Sequence, residues 1–162
     1  MKRGEKYILV TIVLVVLVLG ARNLITIENQ SQPDPGIPFY TTASPQLMDH
    51  ASAIYKEAGC KSCHSLWTVR NVMESVPAPA LDGIGSIRSE EWLYQYLSSP
   101  NPQSILPSRL KTEFQMPSYA YLTDADRRTL AQYLASLQVK GWYKQENIKA
   151  EYEKLTGKEY KP

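Results

Sequence analysis

The apolar positions of this chain form one continuous block near the N-terminus and three later stretches at helical spacing. Tyr7 to Ala21 is apolar throughout except for Thr11, and Leu24, Ile25 and Ile27 extend the pattern past Arg22 and Asn23. Further on, Ser44-Pro45 supplies an N-cap followed by proline at the first helical position, and Leu47, Ala51, Ile54, Tyr55 and Ala58 recur at i, i+3, i+4. This predicts a helix that Gly59 can end. A second helix is predicted from Ser89-Glu90-Glu91, with Trp92, Leu93, Tyr96 and Leu97 on its buried stripe and Pro100 as its stop. A third opens at Thr123, with Asp126 completing a capping-box-like start, and runs through Leu137 on the stripe Leu130, Tyr133, Leu134, Leu137. No segment shows the period-2 alternation of a strand, so the expected fold class is all-α with long loops.

The polar stretches divide these elements. Asn29 to Pro45 carries four prolines and little periodicity, as an extended spacer does. Residues 140–162 alternate Lys and Glu with Trp142, Tyr143, Tyr152 and Tyr160 between them, which reads first as a solvated helix packing a few aromatics and second as a partner-docking element. The expected organisation is an N-terminal segment at 1–28, a Pro-rich linker at 29–45, one domain at 46–139 and a charged, aromatic tail at 140–162. The block in the first segment, behind the net-positive residues 1–6, is expected to act as an uncleaved membrane anchor, with a cleaved secretion signal as the alternative because its core is only about 15 residues long. Either way the positive flank stays on the cytoplasmic side and the rest of the chain is exported, which puts the domain on the periplasmic or other extracytoplasmic face.

Composition narrows the function classes. The 162 residues are 43% hydrophobic and 21% charged, which fits one globular domain and excludes a disordered or multi-span chain. The net charge of +2 comes from the N-terminal flank: residues 28–162 hold 14 Lys+Arg against 15 Asp+Glu, so no clustered basic excess points to a nucleic-acid partner.

The only two cysteines, Cys60 and Cys63, are followed at once by His64 in the run CKSCH. Two thiols three positions apart on a turn can reach the two vinyl groups along one porphyrin edge, and the adjacent imidazole is then directed beneath the iron. A zinc site would need about four ligands, and beyond the motif only His50 remains. A redox dithiol would head a helix after a strand, which the pattern lacks, and a disulfide over so short a loop would leave His64 unexplained. One covalent haem c is therefore expected, with Cys60 and Cys63 as attachment sites and His64 as axial ligand. For the sixth position the chain offers Met116, Met73, His50 and Met48. Met116 leads because it lies in a loop before the third helix and is stiffened by Pro117; Met73 is second, while His50 and Met48 fall on the first predicted helix.

These residues resemble class I c-type cytochromes. Cys60-Lys61-Ser62-Cys63-His64 is similar to the family's attachment motif, Pro79-Ala80-Leu81-Asp82-Gly83-Ile84-Gly85 to its Pro-x-Leu-x-Gly loop, and Met116-Pro117-Ser118-Tyr119 to its distal-ligand loop; Tyr55 and the Leu134 end of the third helix resemble the pair at its helix crossing. The resemblance implies a class I cytochrome c fold over 46–139, preceded here by a transmembrane helix, and a Pro79 carbonyl that accepts the Nδ1 proton of His64. Two positions depart from the pattern: Ser65 stands where the family has glycine after the histidine, and Ala51 where it has glycine on the first helix. The anchor and the MPSYAYLT loop further resemble cytochrome subunits of haem–copper oxidases and nitric-oxide reductases. The implied role is one-electron transfer as a carrier, or as a subunit of a membrane respiratory complex, rather than catalysis by the chain alone. The alternative is a haem enzyme or gas sensor with an open or labile sixth site.

Overall fold

In the computed structural model, residues 3–30, 36–67, 76 and 78–161 are described, and they divide into two units, Met1–Gly36 and Ile37–Pro162. The first unit holds one continuous helix, α1 (Arg3–Gln30). Thr11, the polar residue inside its apolar run, donates its hydroxyl to the Tyr7 carbonyl (2.9 Å) and so hides its own polarity in the helix backbone. Among the described residues no helix is long and apolar enough to cross a membrane.

In the second unit the predicted caps set three helices. Ser44 accepts from the Leu47 amide (3.2 Å) and opens α2 (Pro45–Glu57); Ser89 accepts from the Trp92 amide (3.2 Å) and opens α3 (Glu90–Ser98); Thr123 accepts from the Asp126 amide (3.1 Å) and opens α4 (Asp124–Ser136). The core lies where α2 and α3 pack on α4. Ala51 and Ala131 are completely buried, and Tyr55, Leu93, Leu97, Leu130 and Leu134 close around them. A side chain as small as alanine at position 51 thus suffices for the helices to approach. Arg127 ties the loop before α4 to the end of α3, donating to the Ala120 and Leu122 carbonyls and to the Ser98 hydroxyl.

Three expectations are corrected. First, two strands are present: β1 (Phe39–Thr41) pairs antiparallel with β2 (Leu137–Val139), with Phe39 opposite Val139 and Thr41 opposite Leu137. Three-residue strands are too short to show an alternating pattern, and they form where the segment before α2 meets the segment after α4. Second, β1 lies inside the segment expected to be spacer up to Pro45, so the folded unit begins at Ile37. Third, α4 stops at Ser136, one residue early. There the Ser136 hydroxyl donates to the Tyr133 carbonyl (2.5 Å) and lies 2.8 Å from Thr41 Oγ1, which turns Leu137 into the strand.

Residues 140–162 are not a free tail. A 3₁₀ turn, Gly141–Tyr143, leads into α5 (Lys144–Thr156), closed by Gly157 in the left-handed conformation at φ 68°. The Asn147 amide donates to the Gly83 carbonyl (2.9 Å), Arg88 pairs with Glu151 (3.2 Å), and Arg109 donates to the Lys154 carbonyl (3.3 Å). The helix has no fully buried residue; these polar tethers act together with the half-buried Ile148 and Leu155, the latter on a cavity wall.

Candidate functional site

The site starts at the end of α2. Gly59 takes φ 73°, a left-handed conformation that redirects the chain into the 3₁₀ turn Cys60–Ser62. Within that turn the Cys63 and His64 amides both donate to the Cys60 carbonyl (3.2 and 3.0 Å), so two sulfurs and one imidazole are presented together from a single hydrogen-bonded loop. Cys60 is buried and Cys63 half-buried.

His64 Nδ1 lies 2.8 Å from the Pro79 carbonyl. A carbonyl can only accept, so Nδ1 carries the proton and the Nε2 lone pair is left for a metal. Burial pushes the imidazole below its ordinary pKa, with the Pro79 carbonyl pulling partly the other way, which keeps the ring neutral as a ligand must be. The Pro79 segment is anchored in turn by the Leu81 amide, which donates to the Ser65 carbonyl (2.9 Å).

Above this turn lies a cavity of about 280 Å³ walled by Cys60, Cys63 and His64, by Ile84, Leu93, Leu97, Leu130 and Leu134, and by Met116. Met116 arrives from a loop fixed by Gln103, whose side-chain amide donates to the Met116 carbonyl (2.9 Å), and by Ser118, whose hydroxyl donates to the Ser99 carbonyl (2.8 Å). The other sixth-ligand candidates are placed differently. His50 is exposed on α2, Met48 packs against the core from the same helix, and Met73 lies outside the described residues.

Several cavity residues were not among the site residues expected from the sequence, although one of them, Tyr119, lies in the loop that resembles the family's distal-ligand loop. Tyr119, two positions after Pro117, is buried with its hydroxyl 3.9 Å from the Cys60 sulfur, and burial pushes its phenol up so that it stays neutral. Arg109 from the loop before Met116, and Glu151 and Lys154 from α5, also line the wall. Their spacing from the CKSCH run, in sequence and in period, is arbitrary; the docking of α5 brings in Glu151 and Lys154, and the loop before Met116 brings in Arg109. Among the described residues no cluster of three or more His, Cys, Asp or Glu gathers that could hold a free metal ion.

Two thiols beside a neutral imidazole, a thioether delivered from a distant loop and an otherwise apolar wall define the class: a protein built to hold a flat, apolar, covalently attached metal group. The donor set fits haem, with Cys60 and Cys63 positioned for attachment and His64 and Met116 available to iron. The sequence family described as Cytochrome c matches residues 48–138, more than half of the chain, and the protein belongs to it as a class I c-type cytochrome. No match is found among curated proteins or among solved structures. Its cofactor is one covalent haem c bound through the CxxCH motif, and its chemistry is haem-based electron transfer.

Proposed function

We propose that the protein is a His64/Met116-ligated electron carrier, held to a membrane by its N-terminal segment, that works on the periplasmic face with a membrane respiratory complex. The observation that supports closed ligation most directly is that Met116 and His64, 52 positions apart, wall the same apolar cavity as the two cysteines. When bound, haem supplies a one-electron Fe(III)/Fe(II) couple. The chain's part is to hold the His64 ring by its Nδ1 proton, to present a sulfur from the Gln103-braced loop, and to surround the site with leucines that exclude water. A thioether ligand and an apolar wall both favour the reduced state and raise the potential. With His64 and Met116 both holding the iron, the chain would leave no site for a substrate on the metal, and haem would supply outer-sphere electron transfer only.

The membrane part of the proposal draws on the helix α1, which carries the Tyr7–Ala21 run behind Lys2, Arg3 and Lys6. Confinement beside a partner raises its effective concentration. The partner class, a terminal oxidase or related reductase, draws on the resemblance of the MPSYAYLT loop.

Two experiments test the proposal. In the oxidised holoprotein, the weak far-red sulfur-to-iron charge-transfer band is expected together with slow or no CO binding to the reduced form; absence of the band with rapid CO binding would establish the open-site enzyme or sensor reading instead. After mild detergent extraction of membranes the protein is expected to co-purify with an oxidase or reductase. Recovery in the soluble fraction, lacking the first 20 or so residues by mass, would remove the anchor.

A further inference from the structure

Glu151 is unusual among the acidic residues. It belongs to α5, outside the segment that matches the family, yet it lines the haem cavity with its side chain only 12% exposed. Its carboxylate faces one cation closely, the Arg88 guanidinium at 3.2 Å. That guanidinium is itself shared, lying 4.8 Å from the centre of the Trp92 ring, and its buried Nε has no hydrogen-bond partner among the described residues. Other charged and titratable groups on or beside the cavity wall are Lys154 one turn along α5, Arg109 from the loop before Met116, Tyr96 on α3, the site residues Cys60, Cys63 and His64, the phenols of Tyr55 and Tyr119, and Asp82, buried next to Gly83. Burial holds the Tyr96 phenol above its ordinary range, so that group stays neutral.

We propose that Glu151 is a redox-linked proton acceptor of the haem cavity, taking up a proton when the haem is reduced and releasing it when the haem is oxidised. The balance is simple. An electron arrives from the donor protein, a proton arrives from water, and an O–H bond forms at the Glu151 carboxylate; oxidation sends the electron to the acceptor and the proton back to water. The physical cause is the low polarity of the wall. An added electron makes a neighbouring carboxylate more costly, and a carboxyl that is already short of solvent answers by protonating. Burial, outweighing the pull of Arg88, lifts this carboxyl above the ordinary range and so brings its titration toward neutral pH. The proposal depends on haem lying in this cavity but not on which residue is the sixth ligand.

The test is the reduction potential of the full-length holoprotein from about pH 4 to pH 9, in the wild type and in Glu151→Gln. The wild-type potential is expected to fall as pH rises through the carboxyl's titration. The Gln variant is expected to lose that slope and to sit higher at the alkaline end, by about 59 mV for each tenfold difference in proton affinity between the two oxidation states. An unchanged slope in the Gln variant overturns the proposal and assigns the pH dependence to the haem's own carboxylates. A second measurement is the redox-difference infrared spectrum of protein labelled with δ-¹³C glutamate, in the wild type and in Glu151→Gln. A carboxylic-acid C=O band that appears on reduction and shifts with the label assigns the proton to a glutamate, and its loss in Glu151→Gln assigns it to Glu151; a band indifferent to the label, or one that persists in Glu151→Gln, refutes the proposal. Both outcomes are read with the haem visible spectrum in hand, so a failure of the axial-ligand assignment shows separately.

Discussion

Replacing Gly85 with alanine should be among the most damaging single-methyl changes in the domain, and the structure says why. Gly85 sits in the 3₁₀ turn Ile84–Ser86, pressed against the end of α4. A Cβ there would lie 2.0 Å from the Ala135 carbonyl oxygen and 2.6 Å from its carbon, where ordinary contact begins at 3.4 Å. The atoms in the way are backbone, so no rotamer change relieves the clash. The turn cannot drift off either: Ser86 donates to the Gln138 side chain (2.9 Å) and accepts from the Val139 amide (2.9 Å), while Gln138 donates to the Ala135 carbonyl (2.7 Å). The backbone must separate by more than an ångström, at the upper end of the usual overpacking cost, about 3 kcal/mol. For a unit of this size that is a fall of roughly 12 °C in midpoint. Two neighbours calibrate the reasoning. At Gly83 a Cβ meets side chains rather than backbone, Val139 Cγ1 and Asn147 Nδ2; Val139 is buried with one stiff torsion and Asn147 must loosen its bond to the Gly83 carbonyl, so the cost is about 2 kcal/mol, still below that of a backbone clash. At Gly141 it meets nothing within 4 Å, and alanine should change stability by no more than about 0.5 kcal/mol. Thermal melts of the three holoproteins by far-UV circular dichroism should rank Gly85→Ala below Gly83→Ala and Gly141→Ala near wild type. A Gly85→Ala midpoint within experimental error of wild type would refute the argument, as would Gly83→Ala melting lower than Gly85→Ala.

The other expected outcomes are simpler. Met116→Ala should abolish the far-red charge-transfer band, open the reduced iron to CO and lower the potential by on the order of 0.1 V, as loss of a thioether ligand does; a variant with wild-type spectrum and potential would exclude Met116 as ligand. Leu130→Ala, at a position 1% exposed on both core and cavity, should cost about 3 kcal/mol, read as a lower denaturant midpoint at unchanged slope. Asp124, the first residue of α4, has its carboxyl held below the ordinary range by the Tyr94 hydroxyl (2.5 Å) and by Arg128. A depressed folded pKa means that its stabilisation is present above the ordinary carboxylate range and fades as pH falls through the folded value. The melting-temperature gap between wild type and Asp124→Asn should therefore be constant near neutral pH and close at acid pH; a gap that persists in acid would contradict this origin.

Much of this protein was legible in the chain because its signals are local. Ser44, Ser89 and Thr123 cap their helices through bonds spanning three residues, and the stripe Leu130, Tyr133, Leu134 is buried because helical period alone puts those positions on one face. The CKSCH run presents its sulfurs and imidazole from a single turn, so its chemistry could be read before any fold was known. Partners distant in sequence were another matter. The strand pair joins Phe39 to Val139, a hundred positions away, and three residues on each side leave no period to detect. The docking of α5 draws on single polar contacts, Asn147 to Gly83, Glu151 to Arg88 and the Lys154 carbonyl to Arg109, made by residues that any solvated helix could carry. The sequence by itself therefore determined the helices, the attachment turn and the cofactor, all of which depend on neighbours along the chain. Only the tertiary structure decided where the domain begins, that its C-terminal helix is part of the haem wall, and that Glu151 and Tyr119 face the cavity, because those facts depend on which surfaces meet when the chain closes on itself.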